Sequence, residues 1–352
     1  MSLFNTFYQA KEAIKQLTNG SAFRQPEATT NLSEEARLQI EQEVLPLLEP
    51  LEQFRLEKLA SKARRKKWFM RIGWLLWLPS LAFDVFMLVS GEFTFLTLII
   101  VVGGFAVWVF YPEFQYTRHY KKELIPVLVR AFGEYHYKAD GCIDLDAVKS
   151  FEIMPSFSSK SSEDYIKGEV EGVQFEFCEL QLERRGNKSN INVHRGGALL
   201  ITMPFQFSGY TVVKTDYGKL GNLLSRSLAK TRVALENPEF EERYEVFGSD
   251  QQYARYLLSP VLMERIIALD DLFRARANGS GLTCEFRDDK ALFMLSYFGD
   301  LMKVGDIDVS AYDLDKMPLL EQELAMIIGI IKQLKLDSLA ARNVASARLQ
   351  DV

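Results

Sequence analysis

Two long apolar runs, residues 72–90 and 93–111, limit the possible folds of this chain more than any other feature of its sequence. Only Gly91 and Glu92 separate them. At a helical rise of about 1.5 Å per residue, each run can cross the roughly 30 Å hydrocarbon core of a bilayer. A helix also satisfies its own backbone hydrogen bonds in lipid, so the sequence predicts a transmembrane helical hairpin at residues 68–111.

Positive charge flanks this predicted hairpin on both sides and is missing from its connection. Three basic residues, Arg118, Lys121 and Lys122, follow the second run, and no Lys or Arg lies between the runs. Because cytoplasmic segments beside a membrane are rich in Lys and Arg, we expect an inner (cytoplasmic) membrane protein with both termini in the cytoplasm. We also expect the lipid bilayer to be a partner, with its anionic headgroups contacting the basic residues before the first run. These are Lys62, Arg64, Arg65, Lys66, Lys67 and Arg71.

One acidic residue, Asp84, lies inside the first apolar run. A carboxylate near the centre of a membrane helix costs roughly 2.5–3.5 kcal/mol on insertion scales, so a functional role is one hypothesis. The other hypothesis is structural, with Asp84 hydrogen-bonded to Thr94 or Thr97 of the returning helix. The predicted spans contain no second ionisable residue with which Asp84 could form a proton or ion pathway, and this favours the structural role.

The composition of the chain argues against several classes of function. The net charge of -5 is too mild, and of the wrong sign, to indicate a nucleic-acid partner. The three cysteines, Cys142, Cys178 and Cys284, are widely spaced and form no CxxC motif, so we expect no metal site and no cofactor. Unpaired thiols are typical of proteins in the reducing cytosol.

The pattern of charge, proline and glycine predicts five segments. A helical arm at residues 1–67 contains Pro46 and Pro50, which should kink it because proline lacks a backbone donor. The four segments that follow are a transmembrane hairpin at 68–111, a helical stalk at 112–139, a cytoplasmic domain at 140–336 and a tail at 337–352.

The cytoplasmic domain is predicted to be α+β, with antiparallel strands and packed helices. Alternating apolar residues predict a hairpin whose two strands, 165–170 and 173–182, meet at Glu171-Gly172. A shift in the apolar phase at Cys178 predicts a bulge or an exchange of buried faces. Further strands are predicted at 198–203 and 210–214, and a second hairpin at 282–287 and 291–298.

Two capping signals predict a helix pair in residues 249–276. Ser249 followed by Gln252 has the spacing of a capping box, and Ser259 precedes a proline at the first helical position. Near the C-terminus, an apolar stripe from Leu320 to Leu334 predicts another helix. That stripe either packs on the domain's own sheet or joins copies of the chain, so a homo-oligomer is one hypothesis.

Several short motifs point to a known family. They are Asn237-Pro238-Glu239-Phe240-Glu241, Val246-Phe247-Gly248-Ser249-Asp250-Gln251, Ala254-Arg255-Tyr256-Leu257-Leu258-Ser259-Pro260, Leu262-Met263-Glu264-Arg265, and Glu163-Asp164-Tyr165 with Gly168. On these motifs the chain resembles a bacterial family of uncharacterised membrane proteins with a two-helix N-terminal anchor and a shared domain of unknown function. The resemblance covers about residues 112–331. It implies no assigned activity and no catalytic residues.

Catalysis lacks a clear sequence signal. His119 and His136 lie beside charged stretches, and both are predicted to be solvated. His194 begins His194-Arg195-Gly196-Gly197, which is predicted to be a flexible polar loop, with a phosphate-binding nest as the alternative. We therefore identify no catalytic residues.

A surface on the helix pair is the best candidate site. Arg255 and Tyr256, with Glu241, Glu264 and Arg265, are predicted to contact a protein partner or a ligand. In the alternative interpretation, Arg255 and Glu241 only hold the turn at 237–242 against the helix. The sequence favours a membrane-anchored binding or scaffolding module with an unknown protein partner. The second hypothesis is an enzyme that acts on lipid or nucleotide at the inner membrane face.

Overall fold

The computed structural model describes residues 34–90, 96–131, 133–187, 189–215, 232–298, 305–312 and 324–335. The predicted hairpin tip at Gly91-Glu92, the tail at 337–352, Thr94 and Leu320 lie outside these residues. Contacts divide the chain into two compact units. We call residues 33–131 with 303–316 the helical unit, and residues 132–302 with 317–352 and the N-terminal 32 residues the sheet unit.

Three long helices form most of the helical unit: α1 (Glu34–Ile72), α2 (Trp74–Val89) and α3 (Leu96–Ala131). Helix α1 continues through Pro46 and Pro50, where the sequence predicted a kinked arm. The break in the helix comes instead at Gly73, where α1 and α2 meet at an angle of 52°. Glycine costs a helix about 1 kcal/mol relative to alanine, which makes this position a weak link between the two helices.

Helices α1 and α3 pack along their lengths through aromatic contacts. The rings of Phe54 and His119 have centroids 4.4 Å apart, and those of Phe69 and Phe105 are 5.1 Å apart. His119 is therefore half-buried against α1, whereas the sequence analysis placed it in solvent. Leu48 and Leu124 are among the fully buried side chains of this unit.

A short segment far away in sequence, residues 305–312, completes the helical unit. The Arg55 guanidinium donates a hydrogen bond of 2.8 Å to the carbonyl oxygen of Ile307, and the Glu52 carboxylate accepts one of 2.7 Å from the Ala311 amide. Glu52 and Arg55 also form an ion pair of 2.7 Å across one helical turn. No local sequence pattern predicts these contacts, because the partners are about 250 residues apart in sequence.

The sheet unit contains one eight-stranded antiparallel sheet with the order β1-β2-β3-β4-β8-β7-β5-β6. This confirms the predicted α+β class with antiparallel strands. The strands are β1 (His136–Lys138), β2 (Ser159–Val170), β3 (Val173–Arg185), β4 (Asn190–Thr202), β5 (Tyr210–Thr215), β6 (Tyr244–Gly248), β7 (Gly281–Arg287) and β8 (Lys290–Ser296).

Both predicted hairpins are confirmed. Val170 pairs with Val173 in the first, and Arg287 pairs with Lys290 in the second. The phase shift at Cys178 corresponds to a bulge in the opposite strand, where the β2 register jumps between Glu163 and Ile166.

One loop prediction was wrong. His194-Arg195-Gly196-Gly197 lies inside β4, where the sequence predicted a flexible loop. The ladder is possible because β8 supplies a partner, with Gly196 opposite Ser296. Two adjacent glycines are typical of a loop, and the local sequence contains no information about the distant strand that pairs with them.

The described residues between β5 and β7 include the helices α4 (Pro238–Arg243), α5 (Gln251–Leu257) and α6 (Pro260–Ala277). The predicted cap at Ser259 is confirmed, since its hydroxyl accepts from the Leu262 amide at 3.2 Å. The cap at Ser249 was wrong. Asp250 caps α5 through its carboxylate, and the Ser249 hydroxyl instead accepts from the Tyr210 amide of β5 at 2.9 Å.

A last helix, α7, covers residues 324–335. The apolar stripe residues Leu324, Ile327, Ile331 and Leu334 are all buried within this chain. The described part of the stripe therefore packs into the chain's own fold.

Candidate functional site

The surface of the helical unit is unusual because its exposed side chains are apolar. Most of the large apolar side chains that are exposed anywhere in the described residues lie between Trp68 and Phe114. We call this set the apolar collar. It includes Trp74, Phe86 and Val107. Soluble monomers rarely expose contiguous apolar surface on this scale, and when they do the patch marks a contact with a partner or a membrane.

A carboxyl group is buried in the same region. Asp84 is 0% exposed, and it is the residue of α2 that is buried. The Thr97 hydroxyl of α3 donates a hydrogen bond to its carboxylate, which confirms one of the two predicted partners. The Thr97 hydroxyl also lies 3.3 Å from the carbonyl oxygen of Ser80. Asp84 therefore links α2 to α3.

The basic residues beside the collar divide into two groups. Lys62 lies 2.9 Å from the carboxylate of Glu113, and Arg65 donates to the Trp108 carbonyl oxygen at 2.7 Å with its guanidinium over the indole ring. These two side chains hold α1 against α3. A second group is exposed: Arg64, Lys66, Lys67 and Arg71.

In the sheet unit, Arg255 and Glu241 converge on one backbone segment. Arg255 donates to the carbonyl oxygen of Ala234 at 3.1 Å, and the Glu241 carboxylate accepts from the Leu235 amide at 2.7 Å. Both side chains therefore fix the strand-like stretch that leads into α4. This geometry matches the alternative interpretation, in which the two residues hold the turn.

The other three predicted surface residues are exposed. Tyr256 is exposed on α5, and Glu264 and Arg265 are exposed on α6. A Cβ added at Gly329 of α7 would lie 2.5 Å from the Arg265 guanidinium, so Arg265 lies beside α7. The structure thus places Tyr256 and Glu264 on exposed helix surface, with Arg265 at its border.

A buried polar network that sequence reasoning missed supports these helices. The Tyr244 hydroxyl donates to the Asp270 carboxylate at 2.7 Å, and the Arg274 guanidinium donates to the same carboxylate oxygen at 3.0 Å. Burial, together with the neighbouring Asp270 charge, raises the pKa of Tyr244 well above its usual range. An Asp four residues before an Arg was a weak signal for this network.

The sheet itself carries a polar cavity of about 320 Å³ over β2, β3 and β4. Two of its carboxylates, Glu163 and Glu179, stand directly opposite each other in the ladder. Arg195 and Gln181 form the next cross-strand pair. The sequence could not assemble this cavity, because the β2 bulge and the strand order bring its residues together.

Within the described residues, no group of three or more His, Cys, Asp and Glu side chains is arranged to hold a metal ion.

Comparison with known proteins identifies a domain but no activity. Residues 192–336 match a family model described as "protein of unknown function (DUF3137)". A search of curated proteins finds no match. This domain agrees with the predicted resemblance to an uncharacterised domain family, and the matched region excludes the helical unit up to residue 131.

One solved structure is similar in part: the crystal structure of the mycobacterial trehalose monomycolate transport factor A, TtfA. The two chains share 6% identity, and the similarity covers 56% of this chain and 88% of that chain with a TM-score of 0.29. A TM-score this low does not establish a common fold.

Proposed function

We propose that this protein is a membrane-anchored binding or scaffolding module. In this proposal the helical unit anchors the chain in the bilayer, and the sheet unit, with its domain of unknown function, presents a binding surface at the inner face. One helix, Ile99–Arg130, is long and apolar enough to span a membrane, and Gln42–Ile72 with Trp74–Val89 passes the same test as a bent pair.

The main support for this proposal is the burial pattern of α2, which is the reverse of the pattern in a soluble protein. In a soluble protein the charged residues face water and the apolar ones are buried. Helix α2 does the opposite, since Asp84 is buried while Trp74, Leu76 and Phe86 are exposed. Lipid reverses the preference, because exposed apolar side chains are then solvated by acyl chains and a carboxylate must find a partner inside the protein.

The direction of insertion follows from charge. The exposed group Arg64, Lys66, Lys67 and Arg71 lies at one end of the collar, on the stretch that leads into α2. Anionic lipids on the cytoplasmic leaflet attract such residues. We therefore propose that the protein lies in the inner membrane with both termini in the cytoplasm.

The partner surface proposed for the sheet unit is the exposed side of α5 and α6. Side-chain caps at Asp250 and Ser259 fix the starts of both helices, so the surface is held rigidly. Tyr256 and Glu264 are the proposed contact residues, with Arg265 at the border. Arg255 and Glu241 position the surface through their backbone contacts, and the proposed partner is a protein.

A matched pair of substitutions tests the membrane anchor. Val102 in the collar is 41% exposed, and Val261 on α6 is 45% exposed. Val102→Arg should reduce the fraction of the protein that resists carbonate extraction from membranes, because Val102 lies at the middle of the predicted span 93–111 and arginine near the bilayer centre costs roughly 2.5–3.5 kcal/mol. Val261→Arg should leave that fraction unchanged. Recovery of both variants in the membrane at the wild-type level, or extraction of the wild type by carbonate, would refute the proposal.

A further inference from the structure

Two of the three cysteines lie side by side in the sheet unit. Cys142 follows β1 in the chain and is half-buried, whereas Cys178 lies in the middle of β3 and is fully buried. Cys142 packs against the apolar cluster that contains Cys178, and each thiol shifts the pKa of the other. Both side chains belong to the same apolar cluster. They nevertheless remain free thiols in this structure.

We propose that Cys142 and Cys178 form a reactive dithiol that exchanges with low-molecular-weight disulfides. Cys142 is the attacking thiol because it alone of the pair reaches solvent. Cys178 is the resolving thiol because it is closed to solvent and belongs to the cluster against which Cys142 packs. This inference concerns the interior of the sheet unit and does not depend on the proposed membrane anchor.

The surroundings of Cys142 favour its thiolate. The hydrogen bond from Cys178 lowers the pKa of Cys142 to about 6, with further help from the Ser162 hydroxyl and the charge of Lys160, while partial burial and Glu176 oppose this shift. Tyr165 also faces the pair, and its hydroxyl donates to the Glu176 carboxylate at 3.0 Å. Reactive cysteines are partly exposed and have a lowered pKa, and Cys142 has both properties.

The exchange proceeds in two balanced steps. The Cys142 thiolate attacks one sulfur of a disulfide RSSR, which forms a Cys142–S–S–R bond and releases the thiolate RS⁻. Cys178 then attacks the Cys142 sulfur, which forms the Cys142–Cys178 disulfide and releases RSH, whose proton comes from the Cys178 thiol. Two protein thiols are oxidised, and RSSR is reduced to two thiols.

Cys284 offers a matched control within the same chain. It is fully buried like Cys178, but it has no neighbouring thiol. Burial, together with the adjacent Glu285 carboxylate, raises the pKa of Cys284 well above its usual range. A reaction caused by general unfolding would modify Cys284 as well, whereas the proposed exchange leaves it untouched.

The first test measures alkylation of the full-length protein by iodoacetamide between pH 5 and pH 9, with each cysteine followed by peptide mass spectrometry. A thiol whose pKa is lowered is ionised, and therefore alkylated, at a lower pH than an ordinary thiol. We expect Cys142 to react first, and its alkylation rate to rise at a lower pH than that of an ordinary cysteine. Cys178→Ala should slow Cys142 alkylation at pH 6.5 about tenfold, and Cys284→Ala should not change it.

The second test adds glutathione disulfide to the same full-length protein. We expect an internal Cys142–Cys178 disulfide in the wild type, and a glutathione adduct that persists on Cys142 in Cys178→Ala. If that variant lowers thermal stability, Ser162→Ala supplies a milder second variant, which should slow alkylation of Cys142 with the fold intact. A lasting glutathione adduct on wild-type Cys142, or equal modification of Cys284, would overturn the proposal.

Discussion

The helical unit and the sheet unit place their charged and apolar residues in opposite ways. In α2, Asp84 is buried and the large apolar side chains are exposed, whereas in the sheet unit Phe293 and Leu292 are 0% exposed at the centre of the sheet. Apolar groups avoid water and carboxylates avoid hydrocarbon, so the pattern of the sheet unit is the one expected in water, and the pattern of α2 is the one expected under the proposed insertion in lipid. Whether a unit buries its apolar or its charged side chains therefore indicates the solvent that surrounds it.

The buried carboxylates of the two units also differ in their hydrogen-bond donors. Asp270 of the sheet unit is held by two donors, the Tyr244 hydroxyl and the Arg274 guanidinium. Asp84 of the helical unit accepts from the Thr97 hydroxyl, which carries no charge. A charged partner stabilises an ionised carboxylate, and a neutral hydroxyl does so less. The two sites should therefore respond differently to loss of the carboxylate.

The largest expected effect comes from truncating matched phenylalanines. Phe293→Ala should lower the free energy of unfolding of the sheet unit by about 3–5 kcal/mol, because it leaves a cavity in a closed core. Phe86→Ala in the collar removes an exposed ring and should change the free energy of unfolding of the helical unit by less than about 1 kcal/mol. Thermal unfolding of the full-length protein in nanodiscs measures both. Equal losses would mean that the Phe86 ring is packed in a core and not exposed.

Removal of the two buried carboxylates should come next. Asp270→Leu leaves the Tyr244 hydroxyl and Arg274 without their acceptor and should cost about 3 kcal/mol of unfolding free energy. Asp84→Leu should cost much less, since the Thr97 hydroxyl can still donate to the Ser80 carbonyl oxygen and a carboxylate in lipid is itself costly. The measurement is thermal unfolding in lipid nanodiscs. A loss at Asp84 as large as that at Asp270 would contradict this comparison.

A pH effect of intermediate size is expected from His194. Burial lowers the pKa of this histidine to about 4 from its ordinary 6.5. Between these values the unfolded chain binds more protons than the folded one, so stability is lost as the pH falls from 6.5 to 4. The full loss amounts to about 3 kcal/mol at 1.36 kcal/mol per pKa unit.

His194→Gln should remove that part of the pH dependence, as followed by chemical denaturation between pH 4 and pH 7. The exposed residue His136 provides the control, and His136→Gln should leave the wild-type curve unchanged. An unchanged curve in His194→Gln would show that this histidine is charged in the fold or does not contribute.

The smallest effect distinguishes two residues at opposite ends of α5. Asp250→Ala removes the carboxylate that caps the Gln252 and Tyr253 amides and should cost about 1 kcal/mol of unfolding free energy. Arg255→Ala, near the end of the same helix, removes one exposed contact to a carbonyl oxygen and should cost less. Chemical denaturation resolves the two values. The reverse order would make Arg255 the main support of this surface.

Local patterns were sufficient for much of the sheet unit. The hairpins at Glu171-Gly172 and Asp288-Asp289 follow from short-range alternation and turn residues, and the structure contains both. The cap at Ser259 follows from the serine-proline step. The cap at Ser249 was wrong because its hydroxyl found a competing partner, the Tyr210 amide of β5.

The sequence by itself determined the elements whose causes are local: the apolar runs around Asp84, most of the strands and the helix starts. Only the tertiary structure decided which distant residues meet. It gave His194 a paired strand, bound Glu52 and Arg55 to residues 307–311, and brought Cys142 against Cys178. The physical reason is that a periodic pattern fixes which face of an element is apolar, but contains no information about the partner that covers it. That partner is chosen by the free energy of the whole fold.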